Sequence, residues 1–114
     1  MALEKLAQVG HMVHVYDFRV SPGTGEAFIR AFDEYDVSAD NPMHKSAAQV
    51  KDGVLCRDYD DPDHFYLIGE WTSVEEHRAI LRDLVAKGKP PAFLKYIANN
   101  EFSPRYTEVV APTY

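Results

Sequence analysis

Apolar and polar side chains alternate along residues 12–20, whose sequence is MVHVYDFRV. A period of two with β-branched and aromatic residues is typical of a β-strand, in which successive side chains point to opposite faces. One face then carries Met12, His14, Tyr16, Phe18 and Val20, and the other carries Val13, Val15, Asp17 and Arg19. The pattern predicts the strand but leaves open which face meets a ligand and which meets a partner.

Helical spacing follows a break at the Ser-Pro-Gly sequence of residues 21–23. Apolar residues then recur every three or four positions, as in a helix with one core-facing stripe. The stripe consists of Ala27, Phe28, Ala31, Phe32 and Tyr35. The helix is expected to end near Asp36. An Asn-Pro pair at 41–42 then predicts a short second helix. Its apolar face would carry Met43, Ala47 and Val50.

Two further strands are predicted at 54–59 and 65–71, joined by an Asp-Asp-Pro-Asp turn at 60–63. Ser73 and Glu76 form a capping box that starts a second main helix. That helix has Val74, His77, Leu81 and Leu84 on one face, and Gly88 ends it. One or two helical turns around 93–97 and a last strand at 102–110 complete the pattern.

The predicted order is β-α-(short α)-β-β-α-(short α)-β, which is the split βαβ arrangement of ferredoxin-like domains. We therefore predict an α+β fold with a four-stranded antiparallel sheet and both main helices on one face. Residues 1–114 form a single domain, with 1–10 as a lead-in and 111–114 as a tail. The uncovered sheet face carries apolar side chains, and a second copy is the simplest cover. This predicts a homodimer.

Composition narrows the classes of function. A chain of 114 residues supports one modest core, and it contains seven Tyr and six Phe. The net charge of −6, with no basic cluster, argues against nucleic-acid binding. Cys56 is the only cysteine, so no intrachain disulfide can form. No signal peptide or membrane span is predicted, so we expect a cytoplasmic protein without a membrane partner.

The segment 65–76, FYLIGEWTSVEE, is an apolar strand that ends in Glu-Trp and runs into a serine and an acidic helix start. This resembles the antibiotic biosynthesis monooxygenase family, as do the Ser-Pro-Gly break and the Asp-Asp-Pro-Asp turn, and the resemblance covers about residues 12–110. It implies a dimeric α+β barrel in which two sheets face each other and each protomer has a pocket between sheet and helices. Members include cofactor-independent monooxygenases of polycyclic phenols, haem-degrading enzymes, and relatives with isomerase or cyclase roles.

Haem degradation is not supported by the residues. The haem-degrading members use an asparagine on the first strand, a tryptophan ending the third strand and a histidine in the following helix. Trp71 matches, but Tyr16 stands where the asparagine is expected, and His77 lies earlier than the haem-binding histidine. Two of the three elements fail.

Six residues are candidates for chemistry or ligand contact. His14 and Tyr16 lie on one strand face about 7 Å apart, as a base and a phenolic donor within reach of one ligand. His77, on the second main helix, is the other candidate base. Substrate contact is predicted for Trp71, Phe18 and Phe32, with Trp71 stacking on a flat ring. Packing in the core is the alternative role for each.

Metal and cofactor sites have no support in the sequence. The cluster of Asp58, Asp60, Asp61, Asp63 and His64 lacks the glycine and distal glutamate of a calcium loop, so it is interpreted as a solvated hairpin tip. No HExxH, CxxC, P-loop or GxGxxG motif is present. Cys56 is predicted to be a buried, unreactive thiol. No metal and no cofactor are therefore predicted.

The leading hypothesis is a cofactor-independent, monooxygenase-like enzyme that acts on a small aromatic, polyphenolic or quinol substrate. A base removes a phenolic proton, and the resulting anion reacts with O₂. One alternative is a non-catalytic dimeric ligand-binding or accessory protein, and another is a cofactor-free isomerase or cyclase on the same scaffold. The enzyme hypotheses require the polar candidates to line an enclosed pocket.

Overall fold

The computed structural model describes residues 3–111. The main elements are strand β1 (Met12–Arg19), helix α1 (Gly25–Asp36), strands β2 (Val54–Arg57) and β3 (His64–Trp71), helix α2 (Val74–Ala86) and strand β4 (Pro104–Glu108). Short 3₁₀ segments occupy Met43–Lys45, Ala92–Tyr96 and Ala98–Asn100. Most of the predicted tail, 112–114, and the first two residues of the lead-in lie outside the described residues. Between residues 3 and 111, no helix has the length and apolar character needed to cross a membrane.

The four strands form one antiparallel sheet in the order β2-β3-β1-β4. This is the order of a ferredoxin-like split βαβ fold, so the predicted α+β class is confirmed. β1 lies between β3 and β4, which gives His14 two neighbours across the strands. Gly69 is opposite His14 on one side, and Tyr106 is opposite it on the other.

The prediction of a helix around residues 41–50 is wrong except for a single turn. Only Met43–Lys45 is helical, and residues 48–50 instead run beside the end of β3. There Val50 N donates to Glu70 O at 3.0 Å, and Thr72 N donates to Ala48 O at 2.8 Å. Hydrogen bonding to the edge of the sheet thus replaces the helical bonds that the local pattern would otherwise allow.

The two main helices begin and end close to where the sequence predicts. The Ser73 hydroxyl accepts a hydrogen bond from Glu76 N at 3.1 Å, which satisfies one of the free N–H groups at the start of α2. Gly88 follows the helix with a φ of +66°, the left-handed conformation that favours glycine after a helix end. α1 ends at Asp36, as expected from its apolar stripe.

Both main helices pack on the His14 and Tyr16 face of β1. Phe28 of α1 lies 5.4 Å, centroid to centroid, from the ring of Phe18, and His77 of α2 lies 4.7 Å from His14. Tertiary packing therefore shows that the helices cover the His14 and Tyr16 face. The opposite face carries half-buried Val13, Val15, Ile68 and Cys56, together with Val54, which is 52% exposed. We call this second face the open face.

An aromatic core fills one end of the space between sheet and helices. Phe18, Phe28, Phe65 and Phe93 are buried there and contact one another and Phe102 through their rings. Aromatic pairs at 5–6 Å in tilted or edge-on geometry add about 0.5–1.5 kcal/mol beyond the burial of their area. This core fills the space beside Phe18, and the space near His14 and His77 is left open.

Candidate functional site

A cavity of about 730 Å³ lies between the sheet and the helices. Five of the six candidate residues line it, namely His14, Tyr16, Phe32, Trp71 and His77. Apolar side chains supply much of the remaining wall, including Leu55, Leu67, Leu81, Leu84 and Phe102. A cavity of this size, apolar with a few convergent polar groups, is typical of a site for a small organic molecule.

Phe18 is the exception among the six. It does not line the cavity, because its ring lies in the aromatic core between Phe28, Phe65 and Phe102. Phe18 points to the same side of the sheet as His14 and Tyr16, but it sits further along β1, where α1 covers the strand. The structure therefore gives it a packing position behind the cavity.

His14 is buried in the cavity wall, with 6% of its surface exposed. Its Nδ1 atom is the only buried side-chain nitrogen or oxygen within residues 3–111 that lacks a hydrogen-bond partner. Burial disfavours the charged form and lowers the pKa of His14 to about 4. At neutral pH the imidazole is therefore uncharged, and one of its polar atoms is left unsatisfied by the protein.

His77 lies on the first turn of α2 and is 2% exposed. Its Nδ1 atom is 2.8 Å from the hydroxyl of Tyr106 on β4. Burial, and to a smaller extent the neighbouring His14, lower the pKa of His77 to about 4. Two imidazoles with ring centroids 4.7 Å apart cannot both carry a charge in an apolar wall, so the pair is neutral at pH 7.

Tyr16 follows His14 on the same strand face, with ring centroids 5.4 Å apart. Its ring stacks on Phe102 at 4.5 Å, which fixes its orientation. Burial, together with nearby Tyr106, raises the pKa of Tyr16, so it stays a neutral phenol. Trp71, at the end of β3, is only 1% exposed and meets His77 edge-on at 4.8 Å. The polar candidates and the indole thus form one contiguous group.

A scan against models of known protein families found no match, and no curated protein matched either. Solved structures do match. A Chloroflexus aurantiacus J-10-fl protein, named as a proposed antibiotic biosynthesis monooxygenase, is 24% identical with a TM-score of 0.56, over 89% of this chain and 94% of that chain. A point mutant of SnoaB, a cofactor-independent oxygenase from Streptomyces nogalater, is 16% identical with a TM-score of 0.59, over 90% of this chain and 94% of that chain.

A dimeric ferredoxin-like protein from an uncultured marine organism is 16% identical with a TM-score of 0.65, over 92% of each chain. The chain has the fold of the antibiotic biosynthesis monooxygenases. This confirms the fold that the Glu-Trp strand and the Ser-Pro-Gly break predicted. A shared fold hosts many reactions, so the chemistry has to be argued from the site.

Within this monooxygenase fold, two residues that shape the site were not singled out from the sequence. Tyr106 holds His77, and Gly69 makes room for His14, because a Cβ at position 69 would lie 2.6 Å from His14 Nε2. Alternation along the last strand puts Tyr106 in phase with Phe102. Only the order of the strands, however, shows that this face meets His14 and His77.

Polar residues of the cavity wall include Asp33, Asp36, His44 and Lys89. His44 Nε2 lies 2.8 Å from the backbone oxygen of Asp36, which ties the 3₁₀ turn to the end of α1.

By contrast, the acidic hairpin tip lies away from the cavity. Asp58 Oδ1 accepts from Asp60 N at 2.9 Å, and Asp61 pairs with Arg19. The carboxylates of the hairpin tip therefore stabilise the turn and the end of β1.

Proposed function

We propose that this protein is a cofactor-independent, monooxygenase-like enzyme that oxidises a small aromatic phenol or quinol in the cavity. The observation that carries the proposal is the unsatisfied imidazole of His14 in an aromatic wall. An unpaired buried polar group costs about 1–3 kcal/mol, and a catalytic role is one reason for a native structure to keep it. A phenolic hydroxyl is both a donor and an acceptor, so it suits a neutral imidazole.

The shape and polarity of the wall favour a flat aromatic ligand. Phe32 offers half-buried ring surface, Tyr16 and Trp71 expose no more than 3% of theirs, and the leucines of β2, β3 and α2 complete an apolar lining. Each Å² of apolar surface that the ligand buries contributes about 25 cal/mol. The ligand's hydroxyl would then be placed against His14, His77 and Tyr16, the three polar groups that share one side of the cavity.

The proposed reaction needs no cofactor. His14 removes the phenolic proton, and the electron-rich ring carbon of the anion bonds to O₂ and forms a peroxide. The O–O bond then breaks: one oxygen stays on that carbon as a carbonyl, and the other leaves as water with the hydrogen lost from the carbon and the proton returned by His14. The substrate supplies all four electrons that O₂ takes up, so no external reductant is required.

The low pKa of His14 makes it a weak base, so the phenolate has to be stabilised by hydrogen bonds from its surroundings. His14 is neutral at pH 7, so its lone pair is available without prior deprotonation. Tyr16 stays protonated and can donate to the developing phenolate oxygen. A phenolate formed here is poorly hydrated, which raises the electron density available to O₂. SnoaB, a cofactor-independent oxygenase, has the same fold, and this likeness adds support.

We also propose that the active form is a homodimer joined through the open face. That face presents Val13, Val15, Ile68 and Val54 on a side of the sheet that neither main helix covers. A related ferredoxin-like structure is described as dimeric. Face-to-face packing of two sheets would bury these side chains and leave both cavities on the outer, helix-covered sides.

Oxygen uptake tests the function directly. The protein is mixed with one-, two- and three-ring phenols and hydroquinones in aerated buffer with a metal chelator, and O₂ consumption and quinone absorbance are recorded. With ¹⁸O₂, one labelled atom should enter the product and one should enter water. His14→Gln should abolish turnover. His64→Gln, which removes a histidine outside the cavity, should leave it intact.

Other outcomes would replace the proposal. Saturable binding without O₂ uptake across the whole panel would favour a ligand-binding or accessory protein. Conversion of a bound compound without O₂ would favour an isomerase or cyclase. Full activity in His14→Gln would rule out His14 as the base.

A further inference from the structure

Tyr106 lies outside the cavity wall, behind His77. Its hydroxyl is 2.8 Å from His77 Nδ1, and the two rings meet edge-on with centroids 5.3 Å apart. We propose that Tyr106 is a positioning residue that donates to His77 Nδ1 and so keeps the His77 proton on Nε2. His77 then acts as a hydrogen-bond donor to the ligand, and His14 is left as the base. This inference deepens the proposed function and rests on it for the ligand step.

The hydrogen bond between Tyr106 and His77 can run in either of two directions. A neutral imidazole has one N–H and one lone pair, and the hydroxyl of tyrosine can donate or accept. If His77 Nδ1 carried the proton, the Tyr106 O–H would have no acceptor among residues 3–111, and Nε2 would have no donor. If Tyr106 donates instead, its oxygen has no donor and the His77 Nε2–H has no acceptor among the same residues. The two arrangements leave equal numbers of groups unsatisfied, so the charge beside the Tyr106 hydroxyl decides whether it donates.

Arg78 strengthens this donation. Its guanidinium carbon lies 4.9 Å from the centre of the Tyr106 ring. Burial raises the pKa of Tyr106, and the positive charge of Arg78 opposes that rise. A nearby cation makes a phenolic O–H a better donor and a worse acceptor. Arg78, one position after His77 on α2, therefore favours a bond from Tyr106 to His77 over the reverse.

The two histidines consequently have different tasks, although both are neutral and buried. His14 Nδ1 is buried without a hydrogen-bond partner, so a base role for His14 requires the lone pair to be on Nε2. His77 Nδ1 is occupied, and its Nε2–H is left to meet the oxygen of a ligand in the cavity that His77 lines. An N–H aimed at a developing phenolate stabilises that charge without needing to transfer a proton.

Nitrogen NMR of the ligand-free protein tests the tautomer without any assumption about catalysis. In ¹⁵N-labelled protein at pH 7.5, His77 should show a protonated Nε2 and an unprotonated Nδ1. The signal is assigned by its loss in His77→Gln. Tyr106→Phe, which keeps the ring beneath Arg78, should shift His77 to a mixture of tautomers. Tyr59→Phe, at a fully exposed position, should change nothing. A protonated Nδ1 in the wild type would overturn the inference.

A phenol that changes colour on ionisation tests the ligand step. Para-nitrophenol should bind the wild type partly as its phenolate, and Tyr106→Phe should lower the phenolate-to-phenol ratio about twofold if the two His77 tautomers become equally populated. In a His77→Gln background the amide donates without help from residue 106, so the same change should have little effect. Equal losses in both backgrounds would show a merely structural role for Tyr106. Failure of the wild type to bind the phenol would contradict the proposed function, and the tautomer would still be decided by NMR.

Discussion

Gly69 lies directly opposite His14 across the β1–β3 pairing, and the imidazole occupies the space that a side chain at position 69 would fill. A Cβ built there would be 2.6 Å from His14 Nε2 and 3.1 Å from Cε1. The position of the candidate base therefore depends on the absence of a side chain on the neighbouring strand. Replacing Gly69 therefore tests whether the position of His14 depends on this space.

Gly69→Ala should displace the His14 ring and lower stability by about 1–3 kcal/mol, as expected for overpacking in a filled interior. Urea unfolding measures the change. In a His14→Ala background the clash disappears, and the same substitution should cost much less. Equal costs in both backgrounds would show that His14 is not what Gly69 accommodates.

Trp71 is the only tryptophan, so its fluorescence reports on one place in the cavity wall. A polyphenol or quinol should quench it saturably, and a saturated cyclic alcohol of similar size should have little effect. Calorimetry should show weaker binding in Trp71→Phe and a larger loss in Trp71→Ala, because the ring surface is first reduced and then removed. If no aromatic compound alters the fluorescence, binding beside Trp71 is excluded.

Acid should destabilise the protein through its two buried histidines. Both have a pKa near 4 in the folded state, against an ordinary value of 6.5. Between these values the unfolded chain binds more protons, so the free energy of unfolding falls as the pH drops from about 6.5 toward 4. Each histidine contributes a slope of up to about 1.4 kcal/mol per pH unit, and the contribution is complete above pH 6.5.

Urea unfolding at several pH values from 7.5 to 5 measures this slope. The double variant His14→Gln, His77→Gln should lose most of it, whereas His64→Gln should retain it. An unchanged slope in the double variant would assign the acid sensitivity to other groups.

The proposed dimer depends on apolar contact through the open face. Light scattering at micromolar concentration should give about twice the chain mass of 13.0 kDa. Val15→Asp places a carboxylate in the middle of that face and should yield a monomer, because burying an unpaired charge costs several kcal/mol. A folded, monomeric wild type would contradict the face-to-face arrangement.

Cys56 reports on the same surface. It is half-buried on β2, opposite Tyr66, and lies on the open face. A thiol reagent should label it slowly in the assembled protein, faster in Val15→Asp and at once after unfolding. Immediate labelling of the native wild type would show that the open face is not covered at Cys56.

Local sequence signals determined the elements themselves. Alternation along β1 defines a strand and its two faces, because side chains in a strand point to opposite sides whatever the strand packs against. Ser73 and Glu76 determine the start of α2, and Gly88 its end, through bonds and dihedral angles that involve only nearby residues. The Glu-Trp strand and the Ser-Pro-Gly break were enough to predict the fold, and five of the six candidate residues lie around one cavity.

The tertiary structure determined how these elements pair and pack. The segment 48–50 bonds to the end of β3 rather than forming a helix, because a distant strand offers its backbone groups a competing partner. Phe18 lies in the core and not in the cavity, since α1 covers that end of β1. The surroundings of His14 and His77 come from strand order and register, which bring Gly69 and Tyr106 to them from remote parts of the chain. Periodicity shows which face a residue occupies, but only long-range pairing fixes its neighbours, and those neighbours set the charge and hydrogen bonding of each histidine.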